Sequence, residues 1–191
     1  MHQLIAQAIA DGKYETDGGD ILVPSLGVIA RGEYFHTVNG ADLQVDPNLL
    51  PDQGLNYLVN VGFHTLPKID NWYLALFAGS VSPASNWTAA TFPATASEIV
   101  SGTEGYSGAN RPRFNATAGA GTAVDNVTGG VASYTIVTAS ELVVTGAALL
   151  SSQPKGATTG VLASVTKFAT ARRLQNGDVF ELGYRVTLNA A

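Results

Sequence analysis

The sequence predicts a mainly β chain, an antiparallel β-sandwich of jelly-roll-like type with an extended, partly irregular N-terminal arm. Three observations predict it. The last sixty residues hold four short apolar runs separated by turn residues. The final run alternates cleanly: Phe180, Leu182, Tyr184, Val186 and Leu188 point one way, and Glu181, Gly183, Arg185 and Thr187 the other. Charged residues make up only 13% of the 191, against the usual ~25%, and 21 Gly accompany abundant Ala, Thr, Val and Ser. Such a composition suits a β-rich chain with many turns and much surface covered by partners.

The reading divides the chain into an arm, residues 1–55, and a sandwich, residues 56–191. Leu4, Ile5, Ala8 and Ile9 fall on one helical face, and Asp11-Gly12 stops it. So short a helix cannot stand alone in water and must dock on something. Ile21, Leu22 and Val23 are stopped by Pro24, and Pro47 and Pro51 bracket Asn48-Leu49-Leu50. Proline lacks an amide donor, so residues 21–55 are expected to be extended and irregular, with few ladder bonds. They lie as an arm on another surface or as a long loop across their own sandwich.

Tyr57, Val59, Val61 and Phe63 alternate with Leu58, Asn60, Gly62 and His64, which predicts a strand. Trp72, Leu74 and Leu76 alternate with Tyr73, Ala75 and Phe77, which predicts another, joined to the first by a hairpin loop over residues 65–70. Aromatics on both faces of this second strand imply burial on both sides or an outer face against a partner. Residues 79–130 form a long connection with one or two short strands, packed through Trp87, Phe92, Ile99, Tyr106 and Phe114. Strands follow at Val131–Thr138, Leu142–Leu150, Val161–Phe168 and Val179–Leu188. Asn176-Gly177-Asp178 turns the chain into the last of them.

Several functional classes lose support on the residues alone. There is no cysteine, so thiolate zinc sites, disulfides and cysteine nucleophiles are absent. The longest apolar run, near Leu142–Leu150, is too short to span a bilayer, and the N-terminus lacks a secretory pattern. His2, His36 and His64 have no second ligand at metal spacing, and no nucleophile elbow, P-loop or dinucleotide fingerprint occurs. No catalytic, cofactor or metal residue is assigned, and the chain is read as a non-enzyme. Sequons at Asn86, Asn115 and Asn126 are read as chance in a Thr-rich chain.

Net charge is −5, unevenly spread. Residues 1–100 carry ten acidic and three basic side chains, whereas residues 101–191 carry five and seven. Such asymmetry suits surfaces that meet complementary neighbours. Basic clusters at Arg111/Arg113 and Arg172/Arg173 are too sparse for nucleic acid.

Two passages carry a resemblance. One runs from Asn71-Trp72-Tyr73-Leu74-Ala75-Leu76-Phe77 through Ser82-Pro83, Trp87-Thr88-Ala89-Ala90-Thr91-Phe92 and Glu104-Gly105-Tyr106 to Arg111-Pro112. The other runs from Leu142-Val143-Val144-Thr145-Gly146 through Lys155-Gly156-Ala157-Thr158-Thr159-Gly160 to Lys167-Phe168-Ala169-Thr170-Ala171-Arg172 and Tyr184-Arg185-Val186-Thr187-Leu188. Over residues 57–191 the chain resembles virion structural proteins of tailed bacteriophages, of the capsid decoration (cement) or minor capsid type. The resemblance implies a protein made in the host bacterial cytoplasm and carried on the virion capsid surface. It implies the major capsid protein and other copies of the chain as partners, grouped as a homotrimer, with no cofactor, nucleic acid or membrane. Leu4, Ile5, Ile9, Ile21, Leu22 and Val23 are the candidate arm contacts, and Arg111, Arg113, Arg172 and Arg173 the candidate partners for acidic neighbours. A tail, baseplate or fibre-associated protein is the first alternative. A carbohydrate-binding sandwich with Trp72, Trp87 and Tyr106 as its platform is the second.

Overall fold

Asn39 and Gly40 both take positive φ, 52° and 71°. They turn β1 (Val28–Val38) into β2 (Ala41–Pro47), with Val38 opposite Ala41. A two-residue turn of this hand matches the twist of paired strands, and Asn-Gly supplies it at least steric cost. The computed structural model describes residues 28–118 and 121–190. By internal contacts the chain divides into a large unit, Arg31–Thr187, and a small one at the two chain ends; the sites below lie in the large unit. Residues 28–47 therefore correct the expectation of an irregular segment with few ladder bonds, and the expected boundary at residue 56 falls inside a helix.

That helix, α1 (Asp52–Phe63), replaces the expected strand and hairpin at 56–77. Pro51, extended at φ −65°, stands at its N-cap, and Asp52 places a negative charge in the first turn. The run is apolar at so many positions that it fits a period of 2 and a period of 3.6 alike, and its twelve-residue length decides for helix. α1 packs on the sheet through Gly54: a Cβ there would lie 2.3 Å from the carbonyl oxygen of Ala163.

Among the described residues, ten strands form two antiparallel sheets. The larger has the order β2-β1-β10-β6-β5, with β10 (Val179–Ala190), β6 (Ala123–Asp125) and β5 (Thr117–Ala118). Its strand β7 (Ala132–Val137) pairs with the first half of β10 and with β4 (Gly105–Tyr106). The smaller sheet is β3 (Tyr73–Phe77), β8 (Leu142–Leu150) and β9 (Leu162–Leu174). The four C-terminal strands thus follow the sequence reading closely, with β9 longer than expected.

One core lies between the sheets. Leu74, Leu76, Val144, Ala147, Leu149 and Phe168 of the smaller sheet meet Tyr34, Tyr134, Ile136, Phe180, Leu182 and Tyr184 of the larger. A second core covers the outer face of the smaller sheet: Ala75, Phe77, Ala148, Leu150, Leu162 and Val165 pack under Trp87, Ala89, Phe92 and Ala96. Phe92 opens the single-turn helix α2 (Phe92–Thr95). The long connection therefore packs through its aromatics, and β3 is buried on both faces, the first of the two arrangements its aromatic pattern implied. Among the described residues no helix is long and apolar enough to cross a membrane.

Candidate functional site

A groove of about 760 Å³ opens beside α1. Tyr57, Leu58 and Val61 of α1 form one wall. Phe114, Val124 and Val186 form the other, and Leu149, Ala163 and Tyr184 its floor. Trp72 meets the Tyr57 ring edge to face at 5.3 Å, which fixes both aromatics at the lip. The Tyr57 hydroxyl accepts the Ile69 amide at 2.7 Å and holds the 65–70 loop against the helix. Lys68, Asp70 and Arg113 stand at the rim. Burial pushes the Tyr184 phenol up to about 12, against hydrogen bonds with Ser164 and Asn48, so the floor is uncharged at neutral pH. An apolar trough with a sparse charged rim suits an apolar guest whose orientation is set at its edges.

The outer side of α1 continues this apolar surface. Of its residues only Gly54 and Tyr57 are buried. Leu55, Leu58, Val59 and Phe63 are exposed, Phe63 at 91%, and Leu66 follows in the next loop.

Two buried polar clusters have the residue types of catalytic sites but are closed structures. His36 Nε2 donates to Asp46 at 2.8 Å, while His36 Nδ1 accepts from Arg172 Nε at 3.0 Å. The ring is therefore neutral, and it stacks on Phe168 at 3.9 Å. Asp46 also accepts the Ala169 amide, and Arg172 pairs with the Asp42 carboxylate. Burial, aided by the Arg172 charge and opposed by Asp46, holds the His36 pKa below its usual value. The cluster joins the β1–β2 hairpin to β9. In the second cluster Arg111 forks onto Glu98 through Nε at 2.7 Å and Nη2 at 2.8 Å, and Nη1 donates to the Ser152 carbonyl. The Gly156 amide completes Glu98 at 3.0 Å. Both side chains are wholly buried, so this pair ties three loops together.

These positions correct part of the sequence reading. Arg111 and Arg172 present no charge to neighbours, because both are buried and spent inside the molecule. Arg113 is exposed at the groove, and Arg173 is exposed and paired with Glu141. Leu4, Ile5, Ile9, Ile21, Leu22 and Val23 lie outside the described residues. The proposed aromatic platform does not exist as a surface: Trp87 and Tyr106 are buried in different cores, and Trp72 alone reaches the groove. Asn126 is buried and accepts the Tyr184 amide at 2.7 Å, so that sequon is not displayed. Among the described residues no three His, Asp or Glu side chains are placed to hold a metal ion.

Sequence reasoning missed the groove and the exposed side of α1. The groove draws on residues from 50 to 186, which only the fold brings together. The exposed side was legible once 52–63 is read as a helix, since Leu55, Val59 and Phe63 are one turn apart. No known protein family matches the chain, and a search of curated proteins finds no similar sequence.

Proposed function

We propose that the chain is a non-enzymatic virion structural protein of the capsid decoration or minor capsid type, which binds an assembled phage shell and stabilises it. The observation that carries the reading is the continuous apolar surface formed by α1 and the groove beside it. Apolar patches near the upper end of what monomeric proteins leave open mark contacts with other chains. The low charge and the closed buried ion pairs suit a protein that acts by covering surface. At a joint between shell subunits, each copy would add buried area, and many copies would add many such contributions.

The test is co-sedimentation of the purified protein with empty shells assembled from a major capsid protein of the same source. Binding, with a rise in the shell's unfolding temperature, is the expected result. Protein that stays in the supernatant would overturn the reading, and binding to isolated tails but not to shells would move it to the tail alternative.

A further inference from the structure

Leu55, Val59 and Phe63 follow one another at i, i+4 and i+8 and form a ridge along α1. They are 42%, 58% and 91% exposed. Leu58 and Gly62 form the next row, and a Cβ at Gly62 would have nothing within 4 Å. That row is therefore open beside Phe63 and leaves room for a ridge from another helix.

The ridge is symmetric in spacing about its centre. Val59 lies in the middle, with one larger side chain a turn to either side. Laid antiparallel across a copy of itself, it brings Val59 onto Val59 of the partner subunit and Leu55 onto the partner's Phe63. Interlocking of i±4 rows is the commonest way helices cross. A contact that uses the same patch twice also closes on itself.

The area agrees with a pair. Phe63 presents on the order of 200 Å² of ring surface. With Leu55, Leu58, Val59 and Leu66 the patch reaches about 500 Å², near the upper end of the ~300–600 Å² that a monomer leaves open. Two patches together hide at most about 1,000 Å², the lower limit for a specific interface.

We infer that a second copy of this chain covers the ridge, in a two-fold dimer through α1 with Val59 on the axis. This goes beyond the shell-binding reading and does not rest on it: the ridge goes to a second copy, and the groove beside α1 is left to the shell. It also replaces the three-fold grouping that the resemblance implies.

The test uses the full chain, measured by light scattering on a sizing column. The wild type should run at twice 19.8 kDa. The chain has no cysteine, so Val59→Cys introduces the only thiol. Mild oxidation should link it to itself across the axis, while Ala139→Cys, exposed just before β8 and far from α1, should stay unlinked. Val59→Glu and Val59→Lys should each halve the mass without changing the far-UV spectrum, because the site is exposed. Mixing the two should restore the dimer, since position 59 meets its own copy. A monomeric or trimeric wild type, a dimer that survives Val59→Glu, or a mixture that stays monomeric would overturn the inference. A monomer that binds shells and loses them on Val59→Glu would assign the ridge to the shell, overturning the pairing while leaving the decoration reading in place. A dimer that passes these tests but ignores shells would do the reverse.

Discussion

Glu98 and Arg111 meet with both side chains removed from solvent. Removing one partner from such a pair leaves an uncompensated buried charge, which costs about 3–5 kcal/mol. Glu98→Ala should therefore lower stability by that amount in chemical denaturation, whereas Glu98→Leu with Arg111→Met should cost much less. Tyr106 gives the opposite expectation. Its hydroxyl is buried without a partner among the described residues, so Tyr106→Phe should leave the denaturation midpoint unchanged or raise it, by up to about 1 kcal/mol. A loss of several kcal/mol would show that the hydroxyl is bonded. His36 sets a pH dependence. Its pKa is lowered in the folded chain, so the unfolded chain binds a proton that the folded chain refuses. The stability it contributes is complete above its ordinary pKa of about 6.5 and is lost as pH falls below that value. The thermal midpoint should drop between about pH 7 and 5, and His36→Gln should flatten that slope. A wild-type midpoint level across the range would refute the assignment.

Gly146 shows how closely the strands are fitted. A Cβ there would fall 2.2 Å from both the Phe77 ring and the Thr166 carbonyl oxygen. The latter is backbone and cannot turn aside, so Gly146→Ala should destabilise by about 1–3 kcal/mol in urea titration. Its neighbours in β8 were legible from the sequence because the run Leu142–Leu150 is apolar but for Thr145 and Gly146 and is bounded by turn residues. β10 was legible from its alternation. The β1–β2 hairpin carried a clear sign in Asn39-Gly40, flanked by Phe35, Thr37, Leu43 and Val45, but Pro24, Pro47 and Pro51 around it argued for irregular chain. Pro47 in fact ends β2, and Pro51 precedes α1. α1 itself was obscured because its apolar residues exceed what either period needs, the same excess that leaves a ridge uncovered. Arg111 and Arg172 could not be placed by sequence, since their carboxylate partners are 13 and 130 residues away.

Burial on both faces where β3 pairs with the second half of β8 makes that part of the smaller sheet the most protected of the large unit. β8 is the sheet's central strand, paired with β3 on one side and β9 on the other. The amides of its second half should exchange with solvent only through global unfolding, while those of α1, which rests on the sheet through few buried residues, should exchange sooner. Hydrogen exchange followed by mass spectrometry would detect equal rates, which would contradict this layering.

The outer margins of that sheet are bridged in part. Along β3 the backbone of Arg113 and Glu98 bridges to Tyr73 and Phe77, and along β9 Leu49 exchanges two hydrogen bonds with Val165. At the margin of the larger sheet β2 is short, carries Asp42 and ends in Pro47. Unpaired strand margins are templates on which one molecule can extend another into fibres. Here bridges cover the margin of β3 and the first half of β9, and the open apolar surface is on a helix, whose own backbone bonds are already made. Contacts formed there use side chains alone, so crowding favours reversible docking over irreversible strand growth.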